Sequence, residues 1–143
     1  MNLLFVCTGN SCRSVMAEYI LKKRLLDLKV TGVEVSSAGT SAIPGDTVSP
    51  NAAALLREYG INAAGHRSRM LSKEITGQAE LIFALTRSHL DQIGAMFPEA
   101  KFKALPLGNK DIADPIGAGL EAYKKVFEEI RQAVEKDVLP RVF

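Results

Sequence analysis

The chain has 143 residues, 47% of them hydrophobic and 24% charged, which is the mixture of a soluble globular fold long enough to bury one core without disulfide or metal staples. Lys and Arg outnumber Asp and Glu by 18 to 16, and a net charge of +2 argues against nucleic-acid or membrane binding through bulk charge, so any anion site has to be local. No apolar run approaches the ~18 residues of a membrane-spanning helix. The start, MNLLFVC, lacks a basic leader and a small-residue cleavage pattern, and the two cysteines, Cys7 and Cys12, suit a reducing compartment. A single cytoplasmic domain over residues 1–143 is the expectation.

In chain order, Leu3–Val6 is a short apolar run ending at Thr8-Gly9-Asn10, and Ser14 to Leu28 carries apolar residues at helical spacing. That predicts strand, tight loop, helix. Val33–Ser37 alternates like a strand and ends at Ala38-Gly39. Pro50–Tyr59 reads as a helix with Ser49 as its cap and Gly60 as its stop. A short helix near Leu71–Ile75 precedes Glu80–Leu85, whose unbroken apolar character predicts a strand buried on both faces. Ser88–Met96 is helical, Lys101–Leu105 is a short strand, and Pro106–Gly119 is a long polar connection. The last helix presents Leu120, Tyr123, Phe127, Ile130 and Val134 along one face. The alternation predicts an α/β, doubly wound three-layer sandwich around a four-stranded parallel sheet. Such sheets bind ligands beyond the carboxyl ends of their strands, and the first strand ends at Cys7.

From there the sequence reads Cys7-Thr8-Gly9-Asn10-Ser11-Cys12-Arg13-Ser14, with five residues between the cysteine and the arginine. A loop of this length between strand 1 and helix 1 can turn successive backbone N–H groups inward to cradle a tetrahedral oxyanion at the helix N-terminus. Gly9 and Asn10 tolerate the left-handed backbone this needs. Arg13 adds a planar fork of donors for two phosphate oxygens. The field that attracts phosphate also stabilises a thiolate, which makes Cys7 a nucleophile, and Ser14 can donate a hydrogen bond to its sulfur. The nucleotide loop G-x-x-x-x-G-K-[ST] is absent, and two cysteines with four residues between them, plus His66 and His89 in separate segments, match no zinc spacing.

Cys7–Ser14 followed by Met16-Ala17-Glu18 resembles the low-molecular-weight protein tyrosine phosphatase family. The likeness continues through Ser37-Ala38-Gly39, Gly60-Ile61, His66 to Leu71, and Asp114-Pro115. It implies two-step hydrolysis of a phosphorylated protein or peptide through a cysteinyl-phosphate, with inorganic phosphate as product and no metal or other cofactor. Cys7 would attack phosphorus. Arg13 and the amides of Thr8, Gly9, Asn10, Ser11, Cys12, Arg13 and Ser14 would hold the phosphoryl oxygens, and Asp114 would protonate the leaving oxygen and then activate water. By the same resemblance His66 braces Asn10, and Cys12 pairs reversibly with Cys7 under oxidation, protecting the thiolate.

Departures from the tyrosine-phosphatase pattern cluster around substrate choice. Ser11 replaces a bulky aliphatic, Val15 a proline, Ile116-Gly117 a pair of aromatics, and Ala84-Leu85-Thr86 a Met-Asp pair. Bacterial relatives that remove phosphate from arginine share a small polar residue at the Ser11 position, the Thr86 position and a Gly-rich run after Asp-Pro. Phosphoarginine is therefore the alternative to phosphotyrosine. The loop also resembles that of thioredoxin-linked arsenate reductases, but no cysteine follows Cys12 to relay a disulfide, so that reading requires an external thiol.

Overall fold

In the computed structural model, which describes residues 1–143, strands and helices alternate: β1 (Asn2–Cys7), α1 (Arg13–Asp27), β2 (Glu34–Gly39), α2 (Pro50–Tyr59), α3 (Lys73–Gln78), β3 (Leu81–Ala84), α4 (Arg87–Met96), β4 (Ala104–Pro106) and α5 (Leu120–Ala133). The four strands form one sheet in the order β2-β1-β3-β4, and every pairing is parallel.

Alternation along β1 divides the core. Leu3, Phe5 and Cys7 enter a cluster with α1, α2 and α5, including Met16, Leu56 and Ile130. Leu4 and Val6 enter a smaller cluster on the other face with Ile82, Ile93 and Leu71. Both faces of β1 are thus covered, which is why it is apolar without a break. Phe5 stacks on Phe83 with ring centroids 5.6 Å apart, and burying a side chain of that size contributes roughly 1.5–3 kcal/mol.

Three local expectations change in the structure. The short helix begins at Lys73, after Ser72, whose hydroxyl accepts from the Ile75 amide at 3.1 Å. Met70 and Leu71 are extended instead because that segment bridges to Gly39, with Leu71 N–H donating to Gly39 O at 2.9 Å. Lys101–Lys103 is not strand: Pro98 starts a 3-10 segment through Lys103, Phe102 stays exposed, and only Ala104–Pro106 pairs with β3. Ser49 occupies the cap position of α2, but its hydroxyl makes no cap bond, and its amide instead donates to Ser11 O at 2.8 Å. Gly60 does end that helix, at φ 98°. Of the last helix's predicted face, Tyr123, Phe127, Ile130 and Val134 are buried while Leu120 is exposed, and the helix runs on through a π-turn at Val134–Val138.

The strand order reverses between β1 and β3, and the crevice of such a sheet opens there, beyond the carboxyl ends of its strands. Cys7 is the last residue of β1.

Candidate active site

The segment from Thr8 to Cys12 is tied to the protein through its carbonyls. Thr40 N–H donates to Cys7 O, Ser41 N–H to Thr8 O, Ser49 N–H to Ser11 O and Met16 N–H to Cys12 O, all at 2.8–2.9 Å. The amides of residues 8–13 donate to no main-chain acceptor. The carbonyls of Cys7, Thr8, Ser11 and Cys12 are thus taken up by the fold, while these N–H groups stay free of main-chain partners at the N-terminus of α1. Asn10 alone takes the left-handed conformation, φ 54°, and Gly9 does not need it. The glycine that this loop requires is Gly39 on β2: a Cβ there would lie 2.3 Å from Thr8 O and 3.1 Å from Asn10 N.

Asn10 is wholly buried and anchors the network beneath the loop. Its side-chain N–H groups donate to Ser14 Oγ at 2.9 Å and Ser37 Oγ at 2.8 Å, while its Oδ1 accepts from Arg69 N–H at 3.0 Å. Its main-chain O accepts from His66 Nε2 at 2.8 Å and Ser68 Oγ at 2.6 Å, so His66 carries its proton on Nε2. Ser37 Oγ passes its own hydrogen to the buried carboxylate of Glu18 at 2.5 Å, which Lys22 balances. This proton order sets the last link. Ser14 Oγ accepts from Asn10, so its hydroxyl hydrogen is free for Cys7 Sγ, 2.9 Å away. The Ser14 hydroxyl can therefore donate to the sulfur.

Arg13 is buried, with its Nη1 donating to Ile112 O at 2.9 Å and its Nη2 3.7 Å from Asp114 Oδ2. The structure thus brings the loop arginine and the distant acidic residue together. Asp114 is half exposed, and its Oδ1 accepts from Ile116 N–H at 3.1 Å in a turn of its own. Cys12 is buried on the core side of the loop; burial first, then the nearby Cys7 and Asp114 charges, push its thiol up to about 12. Both cysteines are free thiols. No three His, Cys, Asp or Glu side chains gather closely enough to hold a metal ion.

The sequence motifs reach this loop and its brace His66, but assign no role to the other supports. Ser37, Ser68 and Arg69 lie within segments that carry the family resemblance, and only their place beside Asn10 shows what they do. His89, considered above only as a zinc ligand, is buried with Nε2 2.8 Å from Thr8 Oγ1 and Nδ1 2.9 Å from Thr86 Oγ1.

A parallel sheet with a cysteine at its switch point, leading through a loop of unpaired amides into a helix, defines the class: a doubly wound α/β protein. The model of the low molecular weight phosphotyrosine protein phosphatase family matches residues 2–139, and the chain belongs to that family. A protein-arginine-phosphatase of Geobacillus stearothermophilus is 42% identical over 140 residues, covering 94% of this chain and 91% of the relative. The crystal structure of a low molecular weight protein tyrosine phosphatase from T. tengcongensis superposes with a TM-score of 0.90 at 37% identity, covering 95% of this chain and 96% of that one. The tyrosine phosphatase Wzb from Escherichia coli K30, solved in complex with sulphate, superposes with a TM-score of 0.86 at 32% identity, covering 94% of each chain.

Proposed function

We propose that this chain hydrolyses phosphotyrosine in proteins through a cysteinyl-phosphate formed on Cys7. The observation that carries the reading is the 2.9 Å hydrogen bond between the Ser14 hydroxyl and the Cys7 sulfur, beside a loop whose amides have no main-chain acceptor. The Cys7 thiolate attacks phosphorus in line. The S–P bond forms as the P–O bond to the side chain breaks, and Asp114 gives its proton to the leaving oxygen. The amides of residues 8–13 and the Arg13 guanidinium hold the three equatorial oxygens, where charge spreads in the loose transition state. Asp114 then takes a proton from water as that water attacks phosphorus, the S–P bond breaks, and inorganic phosphate leaves with the thiolate restored. Ser14 steadies the departing sulfur, and His66 with Asn10 holds the loop.

Phosphoarginine is the second reading, and the site's rim favours it. Around Asp114 the exposed side chain is Ile116 rather than an aromatic ring, and the half-buried Ser11 puts a small polar group on the loop. The 42%-identical relative is named for that activity. Cys12 serves on either reading as the partner that captures oxidised Cys7 as a disulfide. Residues 1–143 acting as one domain in the cytoplasm fits a core shared by β1, α1 and α5 and two unpaired cysteines.

The test is phosphate release from two matched peptides, one phosphotyrosine and one phosphoarginine, with Cys7→Ser as the blank. Faster release from phosphotyrosine supports the first reading, and faster release from phosphoarginine transfers the assignment to the second. Release from neither, or release that survives Cys7→Ser, overturns the mechanism.

A further inference from the structure

The mechanism above leaves one buried imidazole unused. His89 lies in the first turn of α4, on the face turned to the phosphate loop, and only 4% of it is exposed. Both ring nitrogens meet a threonine hydroxyl: Nδ1 faces Thr86 Oγ1 at 2.9 Å and Nε2 faces Thr8 Oγ1 at 2.8 Å. Thr86 is the N-cap of the helix, and its oxygen already accepts the His89 main-chain N–H at 3.1 Å. Thr8 is the residue directly after the nucleophile and is exposed at the mouth of the site.

Proton accounting separates the two neutral tautomers. With hydrogen on Nδ1, Thr86 Oγ1 accepts twice and its own hydroxyl hydrogen has no partner in the protein. With hydrogen on Nε2, Thr86 donates to Nδ1 and Nε2–H donates to Thr8 Oγ1, so the one hydrogen left over belongs to the exposed Thr8 rather than to the half-buried Thr86. The Thr8 hydroxyl hydrogen is then free for a partner outside the protein, since Thr8 is exposed. A charged ring would return Thr86 to double acceptance. Burial and the Arg13 guanidinium hold the ring well below its usual value, against Asp111 and Asp114, at about 4, so it stays neutral where a phosphatase of this kind would work.

We propose that His89 is a positioning residue of the phosphate site: held by Thr86, its ring donates from Nε2 to the Thr8 hydroxyl and so turns that hydroxyl's hydrogen toward the bound substrate. The Thr8 hydroxyl then acts as a side-chain donor beside the loop amides, to a phosphoryl oxygen or to the leaving atom. The role rests on the phosphatase reading, and the tautomer beneath it does not.

Two measurements test it. Nitrogen-15 NMR of the imidazole, which needs no substrate, should show hydrogen on Nε2 of His89; hydrogen on Nδ1 overturns the proposal whatever the enzyme hydrolyses. In kinetics on whichever phosphopeptide is turned over, Thr8→Val should lower kcat/KM about 5- to 10-fold in the folded enzyme, the scale of one lost hydrogen bond. His89→Leu should lower it as much, His89→Gln should recover most of that loss by restoring a donor, and Thr8→Val with His89→Leu should be no worse than either alone. An unaffected Thr8→Val enzyme, or losses that multiply in the double variant, would show that His89 only packs α4. If the native chain hydrolyses neither peptide, the phosphatase reading fails while the NMR result stands.

Discussion

The two sides of the site are built in opposite ways. The floor, from Cys7 to Ser14, is cross-braced on a buried base of Cys7, Asn10, Cys12, Arg13 and Ser14: Asn10 alone engages Ser14, Ser37, His66, Ser68 and Arg69, and β2 approaches so closely that only glycine fits at position 39. The wall, from Ala113 to Leu120, is exposed apart from Pro115, and Asp114 is held by a short turn and by Arg13. Stabilising charge in a transition state demands donors that do not reorganise, and the floor is overdetermined for that purpose. Passing a proton to leaving groups of different shape demands only that one carboxyl reach them. Arg13 joins the two regions, one nitrogen on the carbonyl of Ile112 and another beside Asp114.

Breaking the joint should have the largest effect. Arg13→Lys keeps the charge but loses the planar fork that grips two oxygens and the Ile112 carbonyl together, and kcat/KM should fall about 1,000-fold. Asp114→Asn should lower kcat about 100-fold, the usual scale of a lost general acid, while the melting temperature changes little because the side chain is half exposed. The floor should answer in the reverse sense. Asn10→Ala orphans several buried partners and puts alanine at φ 54°, so denaturant titration should show a loss of about 3–4 kcal/mol along with activity. An Asn10→Ala chain as stable as the native one would erase the distinction between floor and wall.

The smallest effect sharpens the comparison through pH. His89 titrates near 4 in the folded chain, lowered from 6.5 chiefly by burial, so between those values the unfolded chain holds the extra proton. Its contribution to stability is complete above pH 6.5 and is lost as pH falls toward 4, by about 3 kcal/mol at most. Unfolding curves across that range should slope accordingly, and His89→Gln should flatten the slope.

Whatever depended on neighbours along the chain was legible before folding. The helical spacing of Tyr123, Phe127, Ile130 and Val134, the unbroken apolar β3 and the run Cys7 to Ser14 are local patterns, because one turn, one strand or one anion loop needs only consecutive residues. The helix near Leu71 was misplaced for the opposite reason: the bridge to Gly39, more than thirty positions away, overrode local preference. Asp114 was legible only through the family resemblance, since an Asp-Pro in a polar loop is otherwise a turn signal.

Sequence by itself determined a parallel α/β sheet with a thiol and a guanidinium in one phosphate loop, since those follow from periodicity and from eight adjacent residues. Tertiary structure decided the rest. It set Ser37, Ser68 and Arg69 around Asn10, His89 against Thr8, and Asp114 beside Arg13, because hydrogen-bond partners 27 to 81 positions apart, and an ion pair reaching farther still, meet only when strand order folds them there.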